Sequence, residues 1–374
     1  MMRIHKAARQ GGAVLAAAGL AAMLALPCAA AGEMAAEPAS PETSLAIPED
    51  GRVPLDERYF PDSEFREAIS QYDEDGDNAL NTQERRDVGY LDLYDVYVSD
   101  LRGIEYFPEV TAITCSDSGI ASIDLSHNLA LEHLSIYGGD LTELDLSANT
   151  VLEELSCSDN PLTKLVLPTS LIDLSCTSCS LTELDLSGMA YLEELSISDN
   201  RLTALDVSAC PSLTRLLCDG NKLAALDLSG NPMLETLYAS DNRLTVLNVS
   251  ANTALTRLYC DSNPITSLDV STLENLEELL CGDTKITALD VSNCTELESL
   301  YSYGNKIPSL NLKNCKKLNS SNVSVDSECK VQYASFMGLD WGMLWGTIRV
   351  LLIVVAVIGA IIWVLRRRNR KWDG

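Results

Sequence analysis

Apolar residues recur through the middle of the chain with a fixed period. Leu141, Leu162, Leu181, Leu202, Leu223, Leu244, Ile265, Ile286 and Ile307 open near-identical segments, 21 residues apart except for one step of 19. Ile120 lies 21 residues before Leu141, and Leu101 a further 19 before that, so the array runs from about Leu101 to Leu318. Self-similarity at this period predicts stacked units, each too small to bury its own apolar side without neighbours. Ahead of the array, Ser63 to Tyr72 places Phe65 and Ile69 at helical spacing behind a candidate N-cap, Asp62 or Ser63, and predicts a helix. Two further apolar stretches lie at the ends, Ala13 to Leu26 and Trp345 to Leu365.

The unit from Leu152, Leu-Glu-Glu-Leu-Ser-Cys-Ser-Asp-Asn-Pro-Leu, is the Leu-x-x-Leu-x-Leu-x-x-Asn-x-Leu segment of a leucine-rich repeat, with Cys157 at the third apolar position. The remainder of each unit, as in Leu-Thr-Glu-Leu-Asp-Leu-Ser-Ala-Asn from Leu141, is a weaker copy of the same pattern. Over about 220 residues the chain resembles the leucine-rich repeat family, in its bacterial subclass with nested 21-residue repeats. The resemblance implies an α/β-type repeat solenoid in which successive strands pair as a parallel-sheet arc with a spacing of about 4.8 Å. Asn160, Asn200, Asn221, Asn242, Asn263 and Asn305 recur after the strand, where an inward amide can satisfy backbone groups left unpaired by the turn.

The repeat register sorts the exposed positions into columns. Between the second and third apolar positions stand Ser135, Ser156, Ser175 and Ser196, then Leu217, Tyr238, Tyr259, Leu280 and Tyr301. Arg215 and Arg257 flank this column on one side, and Asp219, Asp261 and Tyr303 on the other. A stripe of amphipathic aromatics with a few charges has the composition of a contact surface for a protein or glycan. Exposed strands also favour Tyr for cross-strand packing alone. A second column, Asp124, Asp145, Asp185, Asp206, Asp227, Asp269 and Asp290, belongs to the half-repeat and suits turn capping.

The predicted helix runs into Asp73-Glu-Asp-Gly-Asp-Asn-Ala-Leu-Asn-Thr-Gln-Glu84. This resembles an EF-hand loop, with carboxylates at Asp73, Asp75 and Asp77, a backbone carbonyl at Ala79, Asn81 at the ninth position and Glu84 as the twelfth, bidentate ligand. Such a set of oxygens suits Ca²⁺, bound as a structural cofactor that holds an N-terminal cap on the first coil. Asn78 stands where Gly is usual, a place that Asn fills because it tolerates the left-handed conformation. The exit segment, Thr82 to Asp87, is short, and no second hand is present to pair with the first.

The chain carries 54 acidic and 27 basic residues, a net charge of −27. Three basic residues fall in 1–31, and six, with one acidic, in 341–374, which leaves 53 acidic and 18 basic in the middle. A surface of that sign repels phosphate backbones, so nucleic acid is excluded as a partner. Of three His, only His127 and His133 lie in the middle, and no Gly-x-Ser-x-Gly, His-Glu-x-x-His or phosphate-binding Gly loop occurs, which argues against an enzyme. The register places Cys115, Cys157, Cys176, Cys218, Cys260 and Cys281 at the third apolar position, and Cys179, Cys210, Cys294 and Cys315 at the Asn position, all inward as small hydrophobes. Cys329, in the C-terminal cap, is the best candidate for a bridge, with Cys315 as its partner.

The ends specify an address. A basic head, a short apolar run and Ala29-Ala30-Ala31 make residues 1–31 a secretory signal peptide; Pro27 before Cys28 disfavours a lipoprotein acceptor. Residues 32–58, rich in Ala, Glu, Pro and Ser, read as an acidic linker, and 59–90 as the helix and calcium loop. The repeat domain occupies 91–330 and a juxtamembrane segment 331–344. Residues 345–365 are long enough to cross a bilayer core, with Trp341, Trp345 and Trp363 at the interfaces. The basic tail 366–374 stays cytoplasmic by the positive-inside rule and argues against a GPI signal. The expectation is a single-pass cell-membrane protein, N-terminus extracellular, that recognises an extracellular protein or glycan without catalysis; the alternative is a structural envelope spacer with no specific ligand.

Overall fold

A computed structural model describes residues 46–333. The signal peptide, most of the acidic linker and the segments 334–374, including the expected membrane span, lie outside the described residues. Among the described residues no helix is long and apolar enough to cross a membrane.

The chain opens with a short strand, β1 (Val53–Pro54), followed by α1 (Ser63–Ile69), β2 (Ala79–Leu80), α2 (Thr82–Asp87) and β3 (Tyr90–Leu93). Asp62 caps α1, its Oδ1 accepting from the Phe65 N–H at 2.9 Å, and a 3₁₀ turn over Ser70–Tyr72 leads into the acidic loop. The six residues of α2 are held by a capping box between Asn81 and Glu84. β1 pairs antiparallel with β2, Val53 opposite Leu80 and Pro54 opposite Ala79. Ordered structure therefore reaches back into the predicted linker, where Val53 is fully buried.

Coil after coil adds one strand to a 12-stranded sheet, parallel throughout, from β3 to Val323–Ser324. After β3 come β4 (Ala112–Ser116) and β5 (His133–Tyr137), then mostly three-residue strands such as Glu154–Ser156, Asp173–Ser175 and Thr236–Tyr238. The sheet thus begins one coil before Leu101. Strand leucines point inward, and Leu134, Leu155, Leu174, Leu195, Leu216, Leu237, Leu258, Leu279 and Leu300 form one continuous buried row. Beside it runs the row of the third apolar position, with Cys115, Cys157, Cys176, Cys218, Cys260 and Cys281 buried among Ile136, Ile197 and Ala239. Ten of the eleven described cysteines are buried free thiols, Cys329 is partly exposed, and the Cys315–Cys329 bridge is not formed. This environment disfavours the thiolates: a hydrogen bond with Cys176, together with burial, pushes the Cys157 thiol well up, and burial pushes Cys281 up to about 12.

Asparagine closes most of the turns after the strand. In Asn221 the amide donates to the carbonyls of Ile197 at 2.9 Å and Cys218 at 3.2 Å, while its Oδ1 accepts from the Leu202 N–H at 3.0 Å. The arrangement recurs at Asn160, Asn200, Asn242, Asn263 and Asn305, so each amide ties one coil to the one before it. Just before this turn position the backbone is left-handed: at Asp159, Asp199, Gly220, Asp241, Ser262 and Gly304 ahead of the asparagines, and at Asp117, Gly138, Ser178 and Asp283 in the coils where Ser118, Gly139, Cys179 and Thr284 take that place. Asp, Ser and Gly alternate there because short polar side chains tolerate positive φ. The half-repeat aspartates make Asx turns, as where Asp206 Oδ1 accepts from the Ser208 N–H at 2.9 Å, and those serine contacts hold their carboxyls below the usual range.

Candidate functional site

Two groups of side chains stand out: the exposed face of the parallel sheet and the acidic loop of the N-terminal cap. On the sheet face the register aligns Thr114, Ser135, Ser156, Ser175, Ser196, Leu217, Tyr238, Tyr259, Leu280 and Tyr301 in one unbroken row. The switch from hydroxyls to Leu and Tyr read from sequence is therefore a spatial boundary across the sheet. Tyr238 and Tyr259 stack face to face, ring centroids 4.1 Å apart and planes within 2°. The Tyr259 hydroxyl donates to the Glu278 carboxylate, and burial together with that contact pushes its phenol up. Tyr301 and Tyr303 are exposed, whereas Leu217, Leu280 and the stacked pair are partly buried by neighbouring coils.

The flanking positions are charged and ordered by the same register. Arg215 pairs with Glu194 at 3.3 Å, and Arg257 with Glu278 at 3.7 Å. On the other side Asp219 accepts from the Ser240 N–H at 2.8 Å, and Asp261 accepts from the Ser240 hydroxyl at 2.5 Å. Burial pushes the Asp219 carboxyl up to about 6. All ten predicted contact residues thus lie on one face. Two features of that face escaped the sequence reading. Tyr94 and Tyr137 meet through their hydroxyls at the first coils. Asp173 stands between Glu154 and Glu194 on adjacent strands.

Asp173 has a measurable consequence. Burial, then the charges of Glu194 and Glu154, push its carboxyl up to about 6, against about 3.9 for an unfolded chain. Between these values the folded form holds a proton that the unfolded form has released, so this group's contribution to stability falls as pH rises from about 4 to 6. Asp173→Asn is expected to be more stable than the parent by about 1–2 kcal/mol at pH 7.5, with the difference closing by pH 4. Urea unfolding at pH 4, 6 and 7.5 checks this; a difference independent of pH would contradict it. The turn aspartates act in the opposite sense, their stabilisation being lost as pH falls through their lowered values.

In the acidic loop, ligand oxygens of Asp73, Asp75 and Glu84 lie within 4.8 Å of one another. Asp73 is drawn inward by the N–H groups of Gly76 at 2.9 Å and Asn78 at 2.8 Å, and Asn78 takes the left-handed conformation (φ 64°) expected of it. Glu84 is buried, its two oxygens accepting from the Glu74 N–H at 3.0 Å and the Asn81 N–H at 2.7 Å. Pro54, opposite Ala79, has no N–H and cannot occupy the Ala79 carbonyl. The other two predicted ligands face elsewhere: Asn81 Oδ1 caps α2, and the Asp77 carboxylate is paired with Arg52. The donors are all oxygen and a guanidinium stands in for a cation beside them, so the set fits a hard cation such as Ca²⁺.

A 12-stranded parallel sheet built almost throughout from 21-residue coils is a leucine-rich repeat solenoid fold, and it is similar to that of bacterial proteins of this type. No family model and no curated relative matches the chain. Among solved structures it is similar to the functional domain of InlJ from Listeria monocytogenes, which includes a cysteine ladder, at 29% identity and TM-score 0.70. That match covers 78% of this chain and 65% of the InlJ domain, so the chain spans under two thirds of that solved length. The internalin InlF of Listeria monocytogenes matches at 20% identity and TM-score 0.54, over 76% of this chain and 98% of InlF. The leucine-rich repeat domain of APL1B matches at 22% identity and TM-score 0.51, over 66% of this chain and 76% of that one. The last two are likenesses of fold.

Proposed function

We propose that the chain is a membrane-anchored extracellular binding protein, non-catalytic, that engages a protein ligand with the sheet face from Arg215 to Tyr303. The observation carrying this reading is the stacked Tyr238–Tyr259 pair inside the row from Leu217 to Tyr301. Rigid aromatic area at low entropic cost, flanked by Arg and Asp, is the make-up of an energetic centre in a protein interface. The likeness to the InlJ domain and the charge pattern at the two ends of the sequence support the placement at a cell surface. A Ca²⁺ ion held by Asp73, Asp75, the Ala79 carbonyl and Glu84, joined by Asp77 and Asn81 on release from their present partners, completes the reading as a structural clamp on the cap.

A binding screen of the chain against surface proteins and glycans, beside a Tyr238→Ser, Tyr259→Ser, Tyr301→Ser variant, tests it. The parent is expected to bind a protein and the variant to lose at least about tenfold in affinity, since aromatic anchors carry about 2 kcal/mol or more each. Equal binding by both removes the strip from the interface, and binding confined to glycans changes the ligand class. If neither binds anything, the spacer reading replaces this one.

A further inference from the structure

The strongest feature outside the sheet face is Arg52. Its guanidinium lies 3.5 Å from Asp75 Oδ2 and is ion-paired with Asp77, across the third and fifth positions of the acidic loop. The placement follows from the fold. Val53, the next residue, is fully buried and in register with Leu80, and the Leu55 N–H donates to the Asn78 carbonyl at 3.1 Å. The upstream strand therefore carries a cationic side chain onto the loop it clamps. We propose that Arg52 is a built-in competitor of Ca²⁺, holding Asp75 and Asp77 until the ion displaces it. This inference rests on the calcium reading of the loop.

The physical reason is shared acceptors. A carboxylate oxygen engaged by a guanidinium has less electron density to offer a metal, and the fixed positive charge repels an incoming divalent ion. Binding is then an exchange: Asp75 and Asp77 pass from Arg52 to the ion, and the Arg52 side chain moves to solvent, where it is already about two-fifths exposed. Without metal, the same pairing keeps three like-charged loop carboxylates from repelling one another, so the cap keeps its shape at low Ca²⁺. Weak affinity is the outcome, suited to an outside concentration near the millimolar range.

Calorimetric titration of the full chain with calcium chloride, on the parent and on Arg52→Lys, Arg52→Gln and Arg52→Glu, tests the exchange. Charge sets the expected order: the Lys variant stays near the parent, Gln binds roughly tenfold more tightly, and Glu at least as tightly as Gln. The three variants read the same quantity independently, so failure of one to fold leaves the other two decisive. Equal affinities across the series, or weaker binding by Gln and Glu, overturn the role of Arg52 while leaving the metal site standing. Absence of binding by the parent and every variant overturns the calcium reading, and the competitor role with it.

Discussion

Asn242→Ala is expected to lower the stability of the chain by about 2–4 kcal/mol, seen as a fall of several degrees in the thermal midpoint by circular dichroism. The amide donates to the Cys218 carbonyl at 2.9 Å, to Ala239 at 3.3 Å and to Ser240 at 3.1 Å, while its oxygen accepts from the Leu223 N–H at 3.0 Å. Truncation leaves those backbone groups buried and unpaired, and the desolvation penalty of each is then uncompensated. Asn248 serves as control: it is exposed and accepts one bond, from the Ser250 N–H at 3.1 Å, so Asn248→Ala should cost under about 1 kcal/mol. Since Asn242 joins two coils in the middle of the stack, its loss also weakens their interface, and a broadened or split transition is expected. Equal midpoints for the two variants would show that the asparagine row contributes nothing beyond its turn geometry.

The same residue shows why so much of the fold could be read from the chain. A repeat writes one packing decision many times, so the inward leucines, the cysteine row and the asparagine turns each rest on several independent instances. The row from Leu217 to Tyr301 was legible for that reason, because counting by 21 keeps register with the strands. The register held across the step of 19 between Leu162 and Leu181, with Ser175 and Cys176 in the columns expected of them. Asp173 falls between Glu154 and Glu194, two residues before Ser156, Ser175 and Ser196 in the same register, and what the sequence does not carry is its burial there.

The cap was harder still. Val53–Pro54 is two residues long, lies in a stretch of linker composition, and becomes a strand because Leu80 and the Asn78 carbonyl lie opposite it. Its partner is more than twenty residues away, so no local signal announces it, and the placement of Arg52 beside Asp75 and Asp77 was invisible for the same reason. The acidic positions of the loop, by contrast, follow a fixed spacing. The structure brings Asp73, Asp75 and Glu84 together, while the side chains of Asp77 and Asn81 take other partners that spacing does not announce.

The cap should also be the place where one methyl group does most harm. Gly103 has φ 104°, and a Cβ there would stand 2.2 Å from Phe60 Cδ1 and 2.7 Å from the Tyr59 carbonyl oxygen. Neither obstacle can yield cheaply. Phe60 is fully buried, with its ring edge-on to Phe65 at 5.9 Å and to Tyr106 at 5.8 Å, and the second obstacle is backbone. Gly103→Ala therefore combines a left-handed penalty of about 1–2 kcal/mol with overpacking of about 1–3 kcal/mol, and a loss of roughly 3 kcal/mol is expected. Gly76→Ala separates the two terms, for at φ 70° its Cβ would meet nothing within 4 Å, leaving the conformational cost alone. Because the cap covers the first coil, the Gly103 variant should expose Leu91, Ile104 and Phe107, which are buried in the parent, and self-associate in size-exclusion chromatography while the Gly76 variant elutes with the parent. Equal loss in the two glycine variants would mean that Phe60 moves aside and that the cap is not locked to the first coil through this contact.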